Sequence, residues 1–262
     1  MQDISDKLIV ALDVPTLEEA ERFVKILIPE VHYFKIGIQL LSAYGPDAVR
    51  MVTRHGGQVF LDSKFHDIPN TVFQAVSAST GVACAIDFGP HVAVDSSGPS
   101  GIQGVLRAAI APVFMMTVHI KGGKKMLQRA AMAAQEKAQE LNIIKPYVVG
   151  VTVLTSDPPT EQTLEVVLDR AGLAKEAGLD GVVCSAHETK VLKEKFGRDF
   201  IIVNPGIRPK DYPADDQKRT ATAQEALAAG ADFIVVGRPI LKADDPLKAA
   251  REIISACEIK KF

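Results

Sequence analysis

"LIVALDVPTLEEAERFVKIL", residues 8–27, decides the architecture of this chain. A short apolar, β-rich run gives way within a few residues to apolar positions at helical spacing, with charges on the remaining face. Thr16, followed three residues later by Glu19, fits a capping box at the helix start. The turn between them is the informative part. An open, doubly wound parallel sheet carries a glycine-rich turn after its first strand, whereas this turn reads "LDVPTLEEA" and contains no glycine. A closed parallel barrel is the reading left standing.

Outward from that unit the same alternation repeats. Strands are expected at 8–14, 32–38, 58–64, 113–119, 147–155, 179–186, 199–207 and 232–240, with helical patterns such as "GKKMLQRAAMAAQEKAQEL" between them. Gly178, Gly197 and Gly230 fall where helices should stop. The pattern predicts a (β/α)8 TIM barrel, α/β in class, occupying residues 1–262 as a single domain, and 262 residues is close to the usual length of about 250. Residues 81–112 break the rhythm with extra apolar runs and the Gly/Ser/Pro-rich "DSSGPSG". They are read as an insertion before strand four, on the barrel's N-terminal face, where a surface elaboration or an oligomer contact is the plainer role. "ACAIDF" and "HVAVDS" compete with "VFMMTVH" for the fourth strand.

Composition narrows the function. A formal net charge of −2 and an isoelectric point near 6.3 argue against general nucleic-acid or membrane binding. Cys84, Cys184 and Cys257 are widely spaced, as in a reduced, cytoplasmic protein without a disulfide framework or zinc site. Neither a signal peptide nor a membrane-spanning run is evident. His32, His55, His91 and His187 lack metal-ligand spacing and read as surface or capping residues. Met115 and Met116 read as core filler.

The charges inside the strands are the exception to a bland reading. "FLDSKFHDIPNTV", residues 60–72, places Phe60, Asp62 and Lys64 on one face of a strand, with Asp67 just beyond. Lys35 stands in the second strand, and Asp13, His119, Thr155 and Arg238 stand near the ends of others. In a barrel those ends open onto one mouth, so the residues can meet there. A lone strand lysine is usually a snorkelling or edge residue; two lysines and three carboxylates at one mouth point to a site. Gly237 and Arg238 in "VVGRPI", with Arg208, Gln217 and Arg219 from the preceding loop, suit a phosphate monoester. A single Gly-Arg pair is weak by itself, since it also serves an ordinary turn.

These motifs carry a resemblance. "ALD", "FKIG", "FLDSKFHDIPNTV", "VHIKGGKKM", "VTVLTS", "GLDGVVCS", "PGIR" and "VVGR", in that order, resemble the orotidine 5′-monophosphate decarboxylase family in its bacterial form, over nearly the whole chain except residues 81–112. The resemblance implies conversion of orotidine 5′-monophosphate to uridine 5′-monophosphate in pyrimidine synthesis, without cofactor or metal. It implies a charge tetrad of Lys35, Asp62, Lys64 and Asp67, with Lys64 the proton donor. Asp67 and Thr71 would reach into the neighbouring subunit's site, so each site of a homodimer is shared. Asp13 and Lys35 would contact the ribose, Thr155 the pyrimidine edge, and Gln217, Gly237 and Arg238 the phosphate. Arg208 is a further substrate-binding position. Three rivals remain: a magnesium-dependent sugar-phosphate lyase, which has an acidic residue where Lys35 stands; a Schiff-base enzyme using Lys64; and a non-catalytic phosphoribosyl-ligand sensor.

Overall fold

The computed structural model describes residues 4–82, 112–154, 157–158, 160–210, 212 and 219–257. Its eight strands close into a parallel barrel in chain order. They are β1 (Leu8–Ala11), β2 (Tyr33–Gly37), β3 (Gln58–Phe65), β4 (Val113–His119), β5 (Tyr147–Val151), β6 (Gly181–Val183), β7 (Ile201–Asn204) and β8 (Phe233–Val236). β8 returns to β1 through Leu8↔Ile234, Ile9↔Val235 and Val10↔Val236, which closes the cylinder. The helices are α1 (Leu17–Leu27), α2 (Ile38–Tyr44), α3 (Pro46–Arg54), α4 (Pro69–Gly81), α5 (Gly123–Leu141), α6 (Thr163–Glu176), α7 (Ala186–Phe196), α8 (Ala223–Ala228), α9 (Arg238–Leu241) and α10 (Pro246–Cys257).

The strands are apolar on both faces because both are covered. One face packs on the helices: Leu8, Val10, Phe34, Ile36, Val59, Leu61, Met116, Val118, Ile202 and Ile234 belong to the large core cluster that includes Phe23 and Val24 of α1 and Ala130 of α5. The other face fills the barrel. Ile9, Ala11, Phe60, Met115, Val149, Val203 and Val235 form this second core. Tyr33, Phe114 and Phe233 gather below it, with Tyr33 and Phe114 ring centroids 4.3 Å apart.

Local signals explain the element ends. The Thr16 hydroxyl accepts from the Glu19 N–H at 3.2 Å, the forward half of the expected box. Full reciprocal boxes form at Ser185/Glu188 and Thr222/Glu225. Gly178, Gly197 and Gly230 take positive φ where their helices end.

Several strands are shorter than expected. β1 stops at Ala11, so Asp13 stands on the loop beyond it, and β5 stops at Val151. Arg238 opens α9 rather than closing β8. "VFMMTVH" is the fourth strand. Of the expected insertion, Gly81 ends α4, Val82 caps it, and the Pro112 carbonyl accepts from Val59 N–H at 2.9 Å. Residues 83–111, including Cys84 and His91, lie outside the described residues. Among the described residues no helix is long and apolar enough to cross a membrane.

Candidate active site

Following the inward-facing positions up the barrel, the columns of β1 to β4 pass from apolar to polar. Ile9 and Ala11 lead to Asp13, Tyr33 leads to Lys35 and Gly37, Phe60 leads to Asp62, and Met115 leads to Thr117 and His119. The apolar rungs make a dry floor, and the polar ones stand at the C-terminal mouth, where barrels do chemistry. A cavity of about 340 Å³ opens there, lined by Asp13, Lys35, Asp62, Lys64, Arg208 and Arg238 among others. That volume is within the range of about 300–1,000 Å³ typical of small-molecule sites.

The charges alternate. Lys35 Nζ lies 2.9 Å from Asp13 Oδ1 and 3.6 Å from Asp62 Oδ2. Lys64 Nζ donates to the same Asp62 Oδ2 at 2.8 Å. Burial works against the Lys35 ammonium, yet Asp62 and Asp13 outweigh it and hold its pKa above the ordinary lysine value. Burial likewise works against the Asp62 carboxylate, but Lys35, Lys64 and hydrogen bonds from Lys64 and Thr117 together hold its pKa below the ordinary value. Both groups therefore stay charged through neutral pH. Lys64 reaches this position by an irregular route, with φ of +50° instead of regular strand alternation.

Beside Asp13, where β8 neighbours β1, Gly237 and half-buried Arg238 line the cavity together with Gly206 and Arg208. Arg208 is 8% exposed, and its N–H donates to the Ala221 carbonyl at 2.9 Å. Arg219 points elsewhere: it is buried in an ion pair with Glu188. Asp67 and Thr71 are exposed and absent from this cavity's lining, so one chain alone does not assemble the tetrad expected around Lys64. Asp67 Oδ1 accepts from the Ile68 N–H at 2.6 Å. Thr155 and Gln217 lie outside the described residues. His119 is half-buried beside His66, ring centroids 5.5 Å apart, and burial, then His66, pushes its pKa down.

Two residues that sequence reasoning did not single out shape the site. The Thr117 hydroxyl hydrogen-bonds both Asp62 and the Lys64 backbone. Gly37 leaves room for the Lys35 ammonium, because a Cβ there would stand 2.9 Å from Lys35 Nζ. Among the described residues no group of three or more His, Cys, Asp or Glu side chains could hold a metal ion. His32 and His187 are exposed, and His55 pairs with Glu21 at 2.8 Å. Cys184 and Cys257 are free and buried, burial pushing the Cys184 thiol up to about 12.

The family model described as "Orotidine 5′-phosphate decarboxylase / HUMPS family" matches residues 6–94 and 102–253. Within residues 81–112 it leaves only 95–101 unmatched, so the likeness extends further into that segment than the motifs implied. A protein of Moorella thermoacetica named orotidine 5′-phosphate decarboxylase is 43% identical over 98% of this chain and 94% of its own length. One of the same name from Syntrophotalea carbinolica is 43% identical over 95% of this chain and 93% of its own. The crystal structure of orotidine 5′-phosphate decarboxylase from Lactobacillus acidophilus superposes with a TM-score of 0.73 at 31% identity, covering 97% of this chain and all of that one.

Proposed function

The chain belongs to the orotidine 5′-phosphate decarboxylase / HUMPS family, and from that membership we propose that it converts orotidine 5′-monophosphate to uridine 5′-monophosphate. The observation that carries the reading is the Asp62 carboxylate held between two ammonium groups at the barrel mouth, with Lys64 Nζ 2.8 Å and Lys35 Nζ 3.6 Å away. A binding module gains little from crowding buried charges, since each must be taken out of water. An enzyme that must stabilise an anion gains from charge fixed beforehand.

In the proposed step the bond between pyrimidine C6 and its carboxylate breaks, carbon dioxide leaves, and the electron pair remains on C6. The Lys64 ammonium faces that pair, then transfers a proton to form the C6–H bond, and is reprotonated from solvent. Asp62 keeps Lys64 charged and aimed, and stands near the substrate carboxylate. Two like charges about 4 Å apart repel by about 4 kcal/mol at an effective dielectric of 20. Enzymes lower barriers by about 8–23 kcal/mol, so repulsion alone is too small. The preorganised ammonium supplies the larger share. Asp13 and Lys35 hold the ribose hydroxyls, Thr155 the pyrimidine edge, and Gln217, Gly237 and Arg238 the phosphate, with Arg208 alongside. Asp67 and Thr71 complete the site from a second subunit of a homodimer, in the cytoplasm.

The magnesium-dependent sugar-phosphate lyase of the same superfamily is the rival. An ammonium already bridges Asp13 and Asp62, and its charge opposes a divalent cation at the same point.

The deciding measurement follows orotidine 5′-monophosphate loss by ultraviolet absorbance, with and without EDTA. Turnover that survives the chelator is expected, whereas activity lost with EDTA would transfer the chain to the rival. Lys64→Ala is expected to remove turnover by at least about a thousandfold while keeping the fold, as loss of a proton donor and a charge together predicts. Substantial retained activity would take Lys64 out of the mechanism.

A further inference from the structure

Between Leu61↔Met116 and Phe65↔Val118 the β3–β4 ladder is interrupted. Asp62, Ser63 and Lys64 on β3 therefore stand against one residue of β4, Thr117. A bulge of this kind re-aims side chains and leaves backbone groups without ladder partners. Lys64 sits in it at φ +50°, a backbone region that residues other than glycine seldom occupy. What holds it there is a side chain. Thr117 Oγ1 accepts the Lys64 N–H at 2.8 Å and donates its own proton to Asp62 Oδ1 at 3.1 Å.

We propose that Thr117 is a positioning residue, whose hydroxyl clamps the bulge so that Asp62 and Lys64 meet the substrate in reactive geometry. The inference rests on the decarboxylase reading above. Thr117 is fully buried and does not line the cavity, so it acts only through the two residues it holds. Its hydroxyl occupies Asp62 Oδ1, which leaves Oδ2 for Lys64 and Lys35. The branched Cβ fixes the hydroxyl's direction, since threonine has few χ1 rotamers. A neighbouring contact, Ser63 Oγ to the Thr117 carbonyl at 3.4 Å, ties the same bulge to β4 through the backbone.

The test compares wild type, Thr117→Val and Thr117→Ser in steady-state decarboxylation. Valine keeps the volume and branching and removes only the hydroxyl. Thr117→Val is expected to lower kcat by about 10- to 100-fold, the range for a lost hydrogen bond to a charged group, with KM within about threefold. Thr117→Ser should recover kcat to within about threefold of wild type by the same reasoning. The acid limb of the kcat profile should move to higher pH in Thr117→Val, because the ionised Asp62 loses one donor. The other charges facing Asp62 are Lys35 on β2, Lys64 on β3 and Asp13 beyond β1, with Arg208 and Arg238 across the cavity, and all are retained. A Thr117→Val enzyme with wild-type kcat, or with KM alone raised, overturns the proposal, as does a serine variant as slow as valine. If Thr117→Val does not fold, Thr117→Cys, which replaces the hydroxyl by a weak thiol donor, is judged by the same limits. A wild-type protein that leaves orotidine 5′-monophosphate untouched sinks the decarboxylase reading itself, whereas an active wild type with indifferent Thr117 variants sinks only this inference.

Discussion

A methyl group at Gly37 would stand 2.9 Å from Lys35 Nζ and 3.2 Å from Asp13 Oδ1. The backbone at Gly37 is ordinary, φ −89° and ψ 179°, so alanine brings no conformational strain there. The collision falls on one ion pair, and Lys35 cannot swing away without leaving the carboxylates that offset its burial. Gly37→Ala is accordingly expected to lower kcat/KM by about tenfold or more, the effect of displacing one charge-assisted contact, with the unfolding midpoint shifted only slightly. Steady-state kinetics beside a thermal melt would show it; an unaffected kcat/KM would mean that Lys35 adjusts freely. At this scale the sequence was legible wherever a side chain was out of character for its strand. Lys35, Asp62 and Lys64 interrupt apolar runs, and all three line the cavity. Gly37 and Thr117 carried no such mark. Their importance comes from what stands opposite them, and the pairing of Thr117 with a bulge is a non-local fact that periodicity along one strand does not contain.

The elements are held at the far end of the barrel by a device used twice. Asp180, just before β6, accepts Val148 N–H of β5 at 2.7 Å and pairs with Lys145 Nζ at 2.6 Å. Asp232, just before β8, accepts Ile202 N–H of β7 at 2.7 Å and pairs with Lys193 Nζ at 2.7 Å. In each case a carboxylate ahead of one strand satisfies the first inner amides of its neighbour, and a lysine offsets the charge. Both lie at the N-terminal end, where barrel residues serve stability. Asp180→Ala should therefore lower unfolding free energy by about 1–3 kcal/mol, the cost of an amide left without its charged acceptor, and leave kcat unchanged. Urea denaturation beside the absorbance assay separates the two effects, and a variant that loses turnover without losing stability would contradict the division of labour. Strand and helix order could be read from alternating periodicity because each βα unit is local. The ends could not: "LIVALDV" looks continuous, yet the β1 ladder ends at Ala11↔Lys35 on one side and Val10↔Val236 on the other, and where the partners' register stops is not written in the strand's own sequence.

For the whole molecule the telling feature is what stands outside. "DIPNT", residues 67–71, begins with a carboxylate, and Asp67, Ile68, Asn70 and Thr71 are all exposed, with Ile68 67% exposed. A motif that follows Lys64 by three residues and leaves a large aliphatic side chain in water is suited to a surface that another subunit covers. Periodicity announced the motif but not its destination, which came only from the family resemblance, because a periodic pattern is silent about which chain a side chain serves. The proposed sharing of sites makes a distinctive prediction. Lys64→Ala and Asp67→Ala homodimers should each be close to inactive, since every site in them carries the defect. In a mixed dimer one site receives both defects, and the other receives intact Lys64 from one chain with intact Asp67 from its partner. Unfolding and refolding equal amounts together should thus restore about a quarter of wild-type activity, from random pairing into a two-fold dimer. Sedimentation at the assay concentration would establish that the active species has twice the chain mass. Mixtures that stay inactive while forming dimers would mean that Asp67 serves its own chain's cavity, and the segment after Lys64 would then have to move inward from the position it holds here.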